Sequence, residues 1–315
     1  MRRNRVSRKT AAMSIAWLAL SLPLMAQDLA HRIALFKKGA IRVLILSGEN
    51  NHDWRETTPC LRNLLLNTGR FDVRVNEEPA GMTAATLAAY NVVVLDYNGP
   101  RWGPAAEKAL EEFVRSGGGL VAVHGANWAF SGLVILGAHH VPTGMMEPAW
   151  PAYKEMVGGV WSDRPPASGH APRHQFPVNI VDRNNPITAG LPASFEADDE
   201  LYHNLHLIPG VHILATAYDD PKFKGSGPQA PPAKSGWPHL DMTPTGRNEP
   251  VLWTVRYGRG RTFYTALGHD AKAEEMPGFS TTFVRGVEWA ATGRVRAPEP
   301  PLRSWARPVP GGQSY

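Results

Sequence analysis

The residues best able to bind a metal, move a proton or orient a carbonyl stand directly after short apolar runs. Ile41 to Leu46 (IRVLIL) leads into Ser47-Gly48-Glu49-Asn50-Asn51-His52-Asp53-Trp54, and Asn91 to Asp96 (NVVVLD) into Tyr97-Asn98. Leu120 to His124 (LVAVH) is followed by Gly125-Ala126-Asn127, and Arg261 to Leu267 by Gly268-His269-Asp270. If the runs are strands of one open parallel sheet, their carboxyl ends share a rim, where ligands of such sheets bind. His52, His124 and His269 then reach one edge from distant parts of the chain, which favours a site over three unrelated structural histidines.

Two further segments add candidates. Gly169-His170-Ala171-Pro172-Arg173-His174 contains an H-x3-H pair, but Gly169 and Pro172 oppose the helix that would put both rings on one face. In extended chain the two side chains lie about 13 Å apart, so His170 and His174 are expected to face a ligand separately. Asp198-Asp199-Glu200-Leu201-Tyr202-His203 crowds three carboxylates beside a Tyr and a His. Asp198 and Asp199 read as a solvated turn capping a helix, and Glu200 as a base or metal ligand with His203 nearby. Trp54 and Trp128 lie in or next to these loops and suit stacking on a sugar ring, although packing explains them equally well. No G-x-S-x-G elbow or phosphate-binding glycine loop follows the first strand, and Cys60 falls in a predicted helix away from the strand ends.

The elements that must position these groups alternate. The first strand is followed by a helix carrying Leu61, Leu64 and Leu65 on one face and stopped near Gly69, then by a strand at Phe71 to Val75. A short helix at Thr83 to Ala89 leads to the third strand. Pro104 opens another helix, ended by Gly117-Gly118-Gly119 before the fourth strand. This pitch implies right-handed crossovers and an α/β, doubly wound, mostly parallel sheet with long loop insertions. Ala126 to about Gln175 breaks the pattern and reads as a functional insertion. Strands resume at Phe176 to Val181 and Val211 to Ala217. A Pro/Gly-rich loop spans Asp219 to Asn248, a hairpin turns at Gly258-Gly260, and a last helix buries Phe283, Val284, Val287 and Ala291.

Residues 1–26 read as a signal peptide: Arg2, Arg3, Arg5, Arg8 and Lys9 precede an apolar stretch too short to span a bilayer. A lead-in (27–39), one domain (40–293) and a Pro-rich tail (294–315) follow. The expected location is the periplasm or exterior, without stable membrane insertion after cleavage; an uncleaved anchor is the other reading. The net charge of +5 equals the positive charge of the signal, leaving a near-neutral domain that disfavours nucleic-acid binding. A single cysteine excludes disulfide frameworks and multi-cysteine metal sites.

His52-Asp53-Trp54-Arg55-Glu56-Thr57, Gly118 to Ala126, Gly169-His170 to His174, Asn185-Pro186-Ile187-Thr188-Ala189-Gly190-Leu191-Pro192, Asp199-Glu200-Leu201-Tyr202, and Tyr257-Gly258-Arg259-Gly260-Arg261 through Asp270 together resemble the trehalose-utilisation (ThuA-like) family. The resemblance covers roughly residues 40 to 293. It implies a flavodoxin-like fold similar to class I glutamine amidotransferases. In that wider group a nucleophilic cysteine occupies the elbow where this chain has His124, and its histidine partner the place of His269. Amidotransferase chemistry is therefore not expected, because an imidazole cannot form the thioester.

The family association implies a small-molecule carbohydrate, a glycoside or 3-keto-glycoside, undergoing hydrolysis, elimination or isomerisation. His124, Glu200 and His269 are the catalytic candidates. His52, Trp54, Asn127, Trp128, His170, His174, Tyr202 and Asp270 are the substrate-binding candidates, and His52, His124 and His269 the ligands of a divalent metal such as zinc. The rival reading is a non-catalytic carbohydrate-binding or partner-docking module; a homo-oligomer is compatible with both.

Overall fold

Five apolar runs form the parallel heart of a nine-stranded sheet in the computed structural model, which describes residues 36–131, 133–136, 139–142, 147–223 and 243–296. The strands are β1 (Ile41–Leu46), β2 (Phe71–Asn76), β3 (Val92–Leu95), β4 (Gly119–Val123), β5 (His174–Ile180), β6 (Ser194–Asp199), β7 (His212–Tyr218), β8 (Asn248–Tyr257) and β9 (Gly260–Thr265). Their order is β6-β5-β7-β8-β9-β4-β3-β1-β2. From β9 to β2 every pairing is parallel; from β9 to β6 every pairing is antiparallel. The expected mostly parallel α/β sheet is present, and a four-strand antiparallel wing extends it.

Helices cover both faces. α1 (Trp54–Leu66) and the long α6 (Pro277–Thr292) pack on one side. α2 (Ala84–Ala88), α3 (Pro104–Arg115) and α4 (Pro151–Val157) pack on the other, and the short α5 (Ala271–Glu274) leads into α6. Flanked on both faces, Val43 to Leu46, Val92 to Leu95 and Leu120 to Val123 are buried, which is why they read as unbroken apolar runs rather than alternating ones. Each such side chain contributes about 1.5–3 kcal/mol by leaving water.

Register decides what the rim receives. Leu46 lies opposite Leu95, Leu95 opposite Ala122, and Val123 opposite Thr265. The residues following β1, β3, β4 and β9 therefore emerge side by side. Alternating directions through the wing bring the end of β6 to the same rim.

One expectation is corrected: Asp198 and Asp199 cap no helix but close the edge strand β6, and Asp199 is 1% exposed. The 126–175 insertion contains α4 and a two-stranded ladder of Leu133–Leu136 with His139–Pro142. The expected signal peptide and most of the tail lie outside the described residues, as does 224–242 within the second excursion. No helix among the described residues is long and apolar enough to cross a membrane.

Candidate metal centre

His52, Glu200 and His269 meet His124 at the rim, each offering a ligand atom, and these four atoms all lie within 4.8 Å of one another. The ring centroids of His52 lie 4.6 Å from those of His124 and 4.8 Å from those of His269. Glu200 Oε2 is 3.1 Å from His269 Nδ1, 3.8 Å from His124 Nε2 and 3.7 Å from His170 Nε2.

The chain fixes both the place and the tautomer of these rings. His124 follows β4 with φ 47°, a left-handed conformation that a non-glycine residue keeps only where its surroundings impose it. Tyr264 donates to its carbonyl at 2.9 Å, and its Nδ1 lies 2.7 Å from Ala266 O. A carbonyl only accepts, so Nδ1 carries the proton and Nε2 faces the centre. Gly125, next in the chain, leaves space for His52: a Cβ there would sit 2.9 Å from the His52 ring. Asn50 Oδ1 accepts from His52 backbone N–H at 3.0 Å and lies 3.1 Å from His52 Nδ1, while Asn50 Nδ2 donates to buried Asp96. His52 Nδ1 is thereby also the protonated nitrogen, and its Nε2 lone pair is free for the centre. His170 repeats the device, donating from Nδ1 to Ala171 O at 3.0 Å.

Beneath them, Asp199 accepts from Gly268 N at 2.7 Å, Glu200 N at 2.8 Å and His269 N at 3.4 Å. One buried carboxylate thus joins the end of β6 to the end of β9. Arg173 clasps the same two segments from above, bonding Asp198 at 3.1 Å and, more closely, Asp270. These groups are only partly buried, so screening limits the clasp. Arg173→Ala is expected to cost about 1 kcal/mol and about 2–4 °C of melting temperature, read by thermal unfolding; an unchanged transition would refute the clasp.

Burial, with the neighbouring His124 and His269, holds the His52 imidazole well below its usual range, and burial lowers His170. Burial alone would raise Glu200, but the surrounding imidazoles hold it well below the ordinary carboxylate range. His269 is raised: its burial is outweighed by the adjacent Glu200. The result is a carboxylate among imidazoles, two of them kept neutral. His269 Nδ1 is buried without an aligned hydrogen-bond partner, although Glu200 lies close. Imidazole nitrogens with fixed tautomers, one carboxylate and an orphaned ring nitrogen fit a divalent ion of the zinc type.

The other sequence candidates divide. His170 and Tyr202 line the centre, with Tyr202 Oη 2.7 Å from His124 Nε2. His174 does not face Glu200: its Nδ1 donates to Pro172 O and its ring stacks on Phe223 at 3.8 Å. Trp128 is 5% exposed and stacked on Trp161, which itself meets Tyr202 edge-on. It builds the wall and offers no open face for a sugar. Asn127 is fully buried. Asp270 caps α5 through Ala273 N, and Trp54 opens α1 beneath the Arg55 guanidinium. Sequence reasoning missed the roles of Asn50, Asp199, Arg173 and Tyr264; Asp199, next to Glu200 in an acidic run, carried the only visible signal.

The family model described as ThuA, trehalose utilisation, matches residues 42–290. A ThuA-like protein of Parabacteroides merdae superposes with TM-score 0.66 at 30% identity, covering 83% of this chain and 93% of that one. A ThuA-like protein of Bacteroides uniformis gives TM-score 0.54 at 19% identity, covering 82% and 94%. No match is found among curated proteins.

Proposed function

This chain belongs to the trehalose-utilisation (ThuA) family, and from that premise we propose that it is an enzyme acting on a glycoside or 3-keto-glycoside at a divalent-metal centre. The observation that carries the reading is the convergence of His52, His124, Glu200 and His269 from four strand ends. These four would hold the ion, with zinc the natural choice for imidazole-rich donors. When bound, it would supply Lewis acidity toward a sugar carbonyl or hydroxyl.

The chain's own groups supply the proton chemistry. A 3-keto group acidifies the hydrogen on C2. His170 presents an unprotonated Nε2 beside the centre, its Nδ1 occupied by Ala171 O, and burial keeps the ring neutral. It is suited to take that proton as general base. The C–H electron pair then forms the enolate. Collapse of the enolate re-forms the C3 carbonyl and expels the C1 oxygen, which takes up the proton held by His170, and this is elimination. Return of that proton to carbon C3, with the C2 hydroxyl proton passing to O3 so that C2 becomes the carbonyl, is isomerisation. Buried Tyr202, Trp161 and Trp128 wall the centre against water.

Other chemistries find less support. Cys60 lies in α1 with Sγ toward Ala271 O, and burial pushes its thiol up, away from the thiolate an amidotransferase needs. The covered indole of Trp128 speaks against an open sugar-binding platform. The basic and apolar residues 1–26 support export, which would place the substrate outside the cytoplasm.

The test is elemental analysis of purified protein, with turnover of a 3-keto-disaccharide followed by NMR before and after chelation. One divalent ion per chain is expected, with turnover lost on chelation and restored by metal. Protein that turns over the sugar without a stoichiometric ion would overturn the reading.

A further inference from the structure

We propose that Tyr202 competes with the metal for the Nε2 lone pair of His124 and, once displaced, turns its hydroxyl into the hydrogen-bond donor for the sugar oxygen at the centre. This rests on the metal-centre reading above. With Nδ1 donating to Ala266 O, the ring nitrogen of His124 left to offer a lone pair is Nε2. The Tyr202 hydroxyl at 2.7 Å must then donate to it. The same nitrogen is the donor atom that joins His52, Glu200 and His269. One lone pair cannot serve both.

Packing and hydrogen bonds favour this contact until an ion competes for the nitrogen. The His124 carbonyl is held by Tyr264 and its Nδ1 by Ala266 O. The Tyr202 ring is buried, stacked on His124 at 4.3 Å and set edge-on to Trp161 at 5.0 Å. The spacing agrees: donor atoms around a tetrahedral zinc lie about 3.4 Å apart given its usual bond lengths, whereas here they spread to 4.8 Å. Closing the set requires His124 Nε2 to leave the phenol. The hydroxyl has no other hydrogen-bond partner among the described residues, so its displacement leaves a buried donor beside the centre. A ligand oxygen there is the acceptor it lacks.

Titration of zinc into metal-stripped wild type and Tyr202→Phe tests this. Phenylalanine keeps the ring packing, and thermal unfolding of the variant confirms that the fold is retained. Zinc should bind the variant about tenfold more tightly, the factor that one net hydrogen bond of ordinary strength converts to. A 3-keto-disaccharide should bind the zinc-loaded variant several-fold more weakly. In long-range proton–nitrogen spectra of the wild type, His124 should show the Nδ1–H tautomer, and zinc should shift its Nε2 resonance. Equal or weaker zinc binding by the variant, or an unshifted Nε2, overturns the competition while leaving the metal centre standing. Failure of zinc to bind either protein overturns the metal centre and the competition together.

Discussion

Glu200→Gln should lower zinc affinity by more than about a hundredfold, beyond the 10–100-fold typical of groups that merely orient ligands. Glu200 is the only anion in the four-residue cluster, and glutamine keeps its shape while removing its charge. Isothermal titration of metal-stripped protein reads the effect; a change of less than tenfold would remove Glu200 from the set. The same variant has a pH signature without metal. Because Glu200 is depressed in the fold, its contribution to stability is present above the ordinary carboxylate pKa and is lost as pH falls through the folded value. His269 is raised, so its contribution is complete below the ordinary imidazole pKa and is lost as pH rises through the folded value. Both are present together between about pH 4.3 and 6.5, the ordinary values of the two groups. The melting-temperature gap between wild type and Glu200→Gln should be widest there and narrower at about pH 8. A gap independent of pH would contradict the pairing.

Asp199→Ala should be the most destabilising single change near the centre. Its carboxylate is 1% exposed and receives three backbone N–H groups, from Glu200, Gly268 and His269. Alanine strands those donors where water does not reach, and each stranded group costs about 1–3 kcal/mol. Relaxation will recover part, leaving a loss of about 3 kcal/mol and about 6–12 °C in melting temperature. Urea unfolding measures it, and Asp199→Asn, which keeps an acceptor oxygen, should lose less. A loss below about 1 kcal/mol would show that water replaces the carboxylate.

The sequence made the parallel half of the fold legible because strands buried on both faces leave unbroken apolar runs, as in Ile41 to Leu46 and Leu120 to Val123. The strand-end rule selects His52, His124 and His269 from the sequence alone, and the structure brings them together. The wing was harder to read. β6 alternates Phe195 and Ala197 with charged neighbours, so its acidic end looked like a solvated turn, yet Asp199 is buried by a partner 69 residues away in sequence. Trp128 misled for the opposite reason: composition marks a tryptophan as a candidate stacking surface, and only packing shows that Trp161 already covers it. Tautomers could not be read at all, since they depend on which carbonyl each ring meets.

The cluster's donors arrive on four separate stretches of chain, with roughly seventy residues between one and the next, so no local segment contains two of them and each closure orders a long loop. An unfolded chain therefore holds no preformed chelate: the pocket exists only after the whole sheet, edge wing included, has closed. If residues 1–26 direct export of the unfolded chain, as proposed above, any ion would be taken up only at the end of folding, from the pool of the compartment in which folding finishes.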